Sequence, residues 1–353
     1  MEEQKIKVKV GFTSGDMNGV GTEILLSLLA ENKLLSLITP IIYAPLKNLK
    51  YISSHNGSNI SFNKVNSPKE SEENKINVID NFKTFADVSF GEMNKEMGKT
   101  AHQSIKNSVQ DLKDKKIDIL VTAPINKEAI HSDSFKFMGH TDYIDSKLEG
   151  EAVMMMVSEG LRVALLTEHI PIARVTETIT KDLVRAKIKN LHKTLIRDFK
   201  IEKPKIAILS IDPHAGDGGV IAKNDQEVTV PVIKEMNDNG FLIYGPFPSD
   251  SFFGSLEYKK YDITVASFHD QGLIPFKTLS FGKGVNYSSG LERIRTSPDH
   301  GTAYGIAGKG EASKESFLSS IFLAIDLFKN RKAYDELLDK SLVSKKQVKS
   351  NEK

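Results

Sequence analysis

Three histidines stand in the same local setting. His169 closes LRVALLTEH, His214 closes KIAILSIDPH, and His269 lies in YDITVASFHDQG. In each case an apolar run that reads as a β-strand is followed within a few residues by an imidazole. Ligands of a parallel sheet bind outside the carboxyl ends of its strands, so three histidines placed there point toward one edge of the sheet. Imidazole is both a frequent ligand for divalent metals and a frequent general base. Two readings stay open: a shared metal or catalytic site, or three hydrogen-bonded loop residues. Glu168, Asp212 and Asp270 beside them favour the shared site. His55, His102, His131 and His192 lack this context and read as surface or structural residues.

Other polar groups could serve such a site. Asp250 in GPFPSDSFF and Asp270 next to His269 are carboxylates that would sit near a metal, although each could instead cap a loop. GHTDYI places His140 and Thr141 at a helix start, where Thr141 is either a ligand contact or an N-cap. Lys277, Asn286 and Arg295 are embedded among apolar residues and glycines. Arginine can clamp a carboxylate or phosphate in bidentate fashion, whereas lysine suits a point charge or proton transfer. DPHAGDGG (212–219) has the glycines that let backbone approach a ligand. GDMNGVG (15–21) lies between a strand and a helix, where amides could hold an anion or simply make a tight turn. It does not match the GxGxxG dinucleotide fingerprint.

Composition narrows the classes. The 353 residues carry 48 basic and 46 acidic side chains, a balance that argues against nucleic acid or an anionic membrane as partner. No apolar run approaches the roughly 18–20 residues of a membrane span, and the N-terminus lacks the apolar core of a signal peptide. The chain contains no cysteine, which removes disulfides, thiolate catalysis and Cys-bearing zinc sites together. Any metal would be held by His, Asp or Glu; three imidazoles favour Zn, Co or Mn over Ca, with Mg admissible if water and substrate oxygens complete the shell. A reducing, cytoplasmic compartment fits.

Strands and amphipathic segments alternate, which predicts βαβ units and a largely parallel sheet. Expected strands are 6–13, 38–43, 117–122, 161–167, 205–211 and 261–267. Expected helices are 22–31, 98–113, 151–158, 181–199, 224–239 and 314–329. The span 51–75 reads as a surface excursion with room for a short edge strand at Ile60 and Phe62, and 295–310 as a long functional loop. SKKQVKSNEK at the end reads as a frayed polar tail.

The ordered set GDMNGVGTE, VTAPINKEAI, GHTDY, DPHAGDGG, FHDQGLIPFK, GVNYSSGL and RTSPDHGTA resembles the 4-hydroxythreonine-4-phosphate dehydrogenase family of vitamin B6 (pyridoxal phosphate) biosynthesis. HGTAYGIAGKG is similar to a stretch of the wider isocitrate and isopropylmalate dehydrogenase superfamily that helps bind the adenosine half of NAD. The resemblance implies an α/β fold of two α/β/α domains flanking a cleft, not a GxGxxG Rossmann fold. The expected division is 1–125 with a return at about 285–340, a second domain at 126–284 carrying the histidines, and a tail at 341–353.

The resemblance also implies NAD and a divalent metal, Zn first, held by His169, His214 and His269. Substrate contacts fall to His140, Thr141, Lys277, Asn286 and Arg295, and cofactor contacts to Asp299, His300, Gly301, Thr302 and Ala303. Asp250, Asp270 or Lys277 would be the base. The implied assembly is a homodimer with shared active sites. The implied reaction is oxidation and decarboxylation of 4-phosphohydroxy-L-threonine to 3-amino-2-oxopropyl phosphate. GDMNG, DPHAGDGG and RTSPDHGTA depart from the family's GDPAG, NPHAGEGG and RTSVDHGTA, which leaves phosphothreonate or phosphoerythronate as alternative substrates. A phosphate acyltransferase, which would use coenzyme A without metal, and a catalytically silent ligand-binding or scaffold protein are the competing readings.

Overall fold

Strand segments such as ITPIIY, buried at all six positions, can exist only inside a sheet covered on both faces. The computed structural model describes residues 7–83, 85–132, 135–137 and 139–351, with side chains described to residue 340. The strands are β1 Val8–Thr13, β2 Ile38–Tyr43, β3 Phe62–Val65, β4 Ile76–Ile79, β5 Ile119–Val121, β6 Gly150–Ser158, β7 Leu161–Leu165, β8 Lys205–Leu209, β9 Leu242–Phe247, β10 Ile263–Ala266, β11 Val285–Leu291 and β12 Ile294–Pro298. The helices are α1 Val20–Ala30, α2 Leu46–His55, α3 Lys95–Lys113, α4 Lys127–Ile130, α5 His140–Asp145, α6 Val175–Thr178, α7 Lys181–Phe199, α8 Val230–Asp238, α9 Ser249–Gly254, α10 His269–Ser280 and α11 Glu315–Asn351.

All twelve strands join one sheet in the order β3-β4-β2-β1-β5-β12-β11-β6-β7-β10-β8-β9. Neighbours are parallel except where β11 meets β12 and β6, and where β6 meets β7. Because side chains alternate along a strand, the sheet sorts its apolar residues onto two faces. One face carries a single cluster from end to end, with Phe12, Val121, Tyr287, Met155 and Val265 under α1, α7 and α11. The other face carries two clusters. Ile41, Tyr43 and Leu120 lie under α3 and α5, while Met154, Val163 and Leu209 lie under α9 and α10. Between those two clusters β12 and β11 present polar side chains, Arg295, Ser297, Asn286 and Ser288, in alternation with the apolar-face residues Ile294, Thr296 and Tyr287. The break in apolar cover is where a ligand can reach the sheet.

Several expectations need correction. Residues 151–158 form β6, not a helix: the Met-rich run is held between β11 and β7, and tertiary pairing overrides the helical preference of Glu, Ala and Met. The supposed excursion at 51–75 contains the end of α2, whose Leu49 and Ile52 are fully buried, followed by edge strand β3. The loop expected at 295–310 begins as β12 and becomes irregular only after Pro298. The last helix continues to Asn351, through most of the expected tail.

Candidate active site

Arg295 is the largest fully buried side chain among the described residues, at 0% exposure. Strand β12 aims it into the polar gap, where its Nε and Nη2 both donate to the Thr122 hydroxyl, at 3.0 and 2.7 Å. Its Nη1 donates to Thr141 Oγ1 and Ser288 Oγ, each at 3.1 Å. These hydroxyls come from the end of β5, from α5 and from β11. No carboxylate among the described residues lies within ion-pair distance, and burial pushes the guanidinium down to about 9. Removing a cation from water without a counter-ion is costly, so an anion is what this buried guanidinium would favour beside it.

His140 opens α5 next to this cation. Burial, with the charges of Arg295 and Lys127, holds its imidazole well below the usual histidine range, and hence neutral. Thr141 is not the N-cap: Gly139 occupies that position and the Thr141 hydroxyl serves Arg295. The Nδ1 of His140 and the Oδ1 of Asn286 are buried with no hydrogen-bond partner among the described residues, as is Nε2 of His300. An orphaned buried polar atom costs about 1–3 kcal/mol, and three at expected ligand contacts are what a ligand would satisfy.

The histidine-bearing segments follow β7, β8 and β10, as the sequence implies. His169 and His269 bring their rings to 6.0 Å centroid separation. The Nδ1 of His269 lies 2.7 Å from Asp270 Oδ1; with the proton on Nδ1, a lone pair remains on Nε2 for a ligand. His214, Asp250 and Asp270 line a common cavity of about 540 Å³ with Phe268 and Ile274. Within one chain, the described residues contain no group of three or more His, Asp or Glu close enough to hold a metal. The donor chemistry suits a divalent ion; the full three-histidine set does not converge in a single chain.

The loop presenting His214 is unusual. His214, Ala215, Gly216, Asp217, Gly218 and Gly219 all have positive φ, between 45° and 93°. Left-handed backbone costs an L-residue roughly 1–2 kcal/mol, so His214, Ala215 and Asp217 are held there by their surroundings. The Asp212 carboxylate accepts from the Asn224 backbone and side chain, and Asp225 accepts the amides of Ile211 and Asp212.

Lys277 and Asp299, expected in different roles, form an ion pair at 3.2 Å. The loop after β12 is seated on the first βα turn. Val20 N–H donates to Thr302 O at 2.9 Å, so the first amide of this helix is engaged by protein. A Cβ at Gly19 would come within 2.5 Å of that carbonyl, which explains the glycine there. Tyr304 donates to buried Asp16, and Glu23 accepts the amides of Gly308 and Gly310, all at 2.6–2.7 Å. GDMNGVGTE therefore shapes the loop that carries Asp299 to Ala303. Sequence reasoning missed Thr122, Ser288, Asp16 and Glu23 as individuals, although each lies within a quoted motif.

The chain matches the family model for pyridoxal phosphate biosynthetic protein PdxA over residues 36–324. It is 43% identical to 4-hydroxythreonine-4-phosphate dehydrogenase of Bacteroides thetaiotaomicron, over 94% of this chain and 91% of the relative. It is 34% identical to D-threonate 4-phosphate dehydrogenase of Cupriavidus necator, over 91% and 98%. Among solved structures, 4-hydroxythreonine-4-phosphate dehydrogenase of Klebsiella pneumoniae superposes with a TM-score of 0.78 at 30% identity, covering 92% of this chain and 99% of that one.

Proposed function

The chain belongs to the PdxA family of pyridoxal phosphate biosynthetic proteins, and on that premise we propose that it is an NAD-dependent, divalent-metal-assisted 4-hydroxythreonine-4-phosphate dehydrogenase. The reaction is oxidation of the hydroxyl of 4-phosphohydroxy-L-threonine and loss of CO2, giving 3-amino-2-oxopropyl phosphate. The observation that carries this reading is the buried Arg295, which no described carboxylate ion-pairs, beside the orphaned polar atoms of His140 and Asn286. A phosphorylated substrate brings the negative charge and the acceptors and donors that these groups lack.

In this reading Arg295, Thr141, neutral His140, Asn286 and Lys277 bind and orient the substrate. Asp250, Asp270 and Lys277 are the candidate proton acceptors; Lys277 is tied to Asp299, whereas both aspartates are exposed beside the His214 cavity. His169, His214 and His269 would hold the metal, and residues 299–303 would contact the cofactor. The bound groups supply hydride acceptance by NAD and Lewis acidity from the metal, Zn foremost with Mg, Mn or Co as alternatives.

A homodimer with shared sites belongs to the same proposal. Val220 is 84%, Phe281 83%, Ile172 69% and Ile274 63% exposed, and all four lie on the segments that carry the histidines. Large exposed apolar residues on these segments favour a protein partner. The division into 1–125 with about 285–340 against 126–284 is part of the same proposal; two separate apolar clusters on one sheet face favour two halves, with Ile130, Tyr143, Ile144 and Leu148 packing in the first of them. No described helix is long and apolar enough to cross a membrane; a cytoplasmic location is part of the proposal.

The test is NADH formation, followed by near-ultraviolet absorbance, with 4-phosphohydroxythreonine, phosphothreonate and phosphoerythronate, each with and without a chelator. Chelator-sensitive NADH formation that is fastest with 4-phosphohydroxythreonine is expected. Faster turnover of phosphothreonate would favour the activity named for the Cupriavidus relative. No NADH from any of the three would overturn the proposal.

A further inference from the structure

The protein contains its own control for what a buried arginine ordinarily requires. Arg331, 6% exposed, is paired with Asp198 through Nε at 2.6 Å and Nη2 at 3.0 Å. Arg295 is more deeply buried and among the described residues has hydroxyl partners alone. A hydroxyl accepts a hydrogen bond and so fixes the guanidinium plane, but it carries no net charge to cancel the cation. A carboxylate would fix the plane equally well while occupying the charge that an incoming anion needs.

We propose that Thr122 and Ser288 are positioning residues that hold the Arg295 guanidinium as an unpaired cation for the substrate's phosphate. The proposal rests on the functional reading above. Thr122, fully buried at the end of β5, takes two donors from one edge of the guanidinium. Ser288, 1% exposed on β11, takes one from the opposite Nη1. The third hydroxyl, Thr141, neighbours the orphaned Nδ1 of His140 and belongs to the binding surface itself. Thr122 and Ser288 thus anchor Arg295 from the two strands that flank β12, and neither needs to touch substrate to set its affinity.

The experiment is calorimetric titration of the full chain with inorganic phosphate, with thermal unfolding and steady-state kinetics on the same variants. Thr122→Val keeps the side-chain shape and removes the acceptor; phosphate affinity should fall on the order of tenfold or more, since hydrogen bonds to a charged group are lost. KM for the phosphorylated substrate should rise more than kcat falls. Thr122→Ser, which restores the hydroxyl, should return within about threefold of wild type on the same scale. Ser288→Asp supplies the missing counter-ion; it should keep or raise the melting temperature while losing phosphate binding, a pairing of effects that a purely structural role does not produce. Wild-type affinity in a folded Thr122→Val or Ser288→Asp protein would overturn the proposal. Failure of the wild type to bind either phosphate or 4-phosphohydroxythreonine would instead overturn the reading on which it rests, and the proposal with it.

Discussion

Lys277 and Asp299 meet at 3.2 Å, yet burial leaves the Asp299 carboxyl raised above the ordinary aspartate value, with Lys277 and His300 only partly offsetting it. The sign of the pH effect follows. A carboxyl whose folded pKa lies above its unfolded one takes up a proton first in the folded state, so its contribution to stability grows as pH falls through the folded value. The ion pair, in contrast, is lost over that same fall, and Lys277 is released. Activity that depends on the pair should therefore decline in mild acid, earlier than an ordinary aspartate would dictate. Asp299→Asn should lower kcat/KM near neutrality and flatten the acid limb that Asp299 contributes, measured between about pH 4 and 8. Superimposable profiles in the two proteins would remove Asp299 from the site. The expectation that Asp299 and Lys277 matter was available from their motifs; that they matter to each other was not, because α10 and the post-β12 loop are joined only in space.

At the level of elements, one buried network holds the site from behind. Tyr287 of β11 donates to Asp198 of α7, and Arg331 of α11 donates to Asp198, to Tyr287 and to the Glu292 carbonyl. Tyr287 stands between Asn286 and Ser288 on the strand, so the clamp on one face sets the position of polar groups on the other. Asp198→Ala would leave Arg331 buried without its counter-ion, and breaking such a pair costs roughly 3–5 kcal/mol. Urea unfolding should report a loss of that order; a loss below about 1 kcal/mol, the level of an exposed pair, would show that the network does not clamp these elements. Periodicity made β1, β2, β5, β7, β8, β10, α1, α3, α7, α8 and α11 legible. Elements such as β4, β6, β9, β11, β12, α2 and α10 were not, because their residues are apolar on both faces, polar and glycine-rich, or short. The character of those strands comes from the neighbours that pair with them, which no local pattern contains.

For the whole molecule, the homodimer proposal turns on the relation of the histidine segments to a second copy. In the proposed homodimer, a chain that brings His169 and His269 together, places His214 beside Asp250 and Asp270, and leaves Phe281 and Ile274 in solvent would supply part of each shared site. The homodimer proposal predicts that the wild type sediments as a dimer. Phe281→Asp combined with Ile274→Asp should yield a folded monomer with strongly reduced turnover and less bound metal. An active wild-type monomer would sink the shared-site proposal.

The sequence by itself determined the chemistry on offer: imidazoles after three strands, one arginine among apolar residues, no thiol, and motifs in an order that identifies the family. Those follow from residue type and local order, which the chain carries without folding. Tertiary structure alone decided that Arg295 is hydrogen-bonded by hydroxyls with no described carboxylate at ion-pair distance, that Lys277 answers Asp299, and that GDMNGVGTE braces the 299–310 loop. Each depends on which strand lies beside which and which face a residue occupies. Such relations span up to nearly the whole chain, as between Asp16 and Tyr304, and they exist only once the sheet has closed.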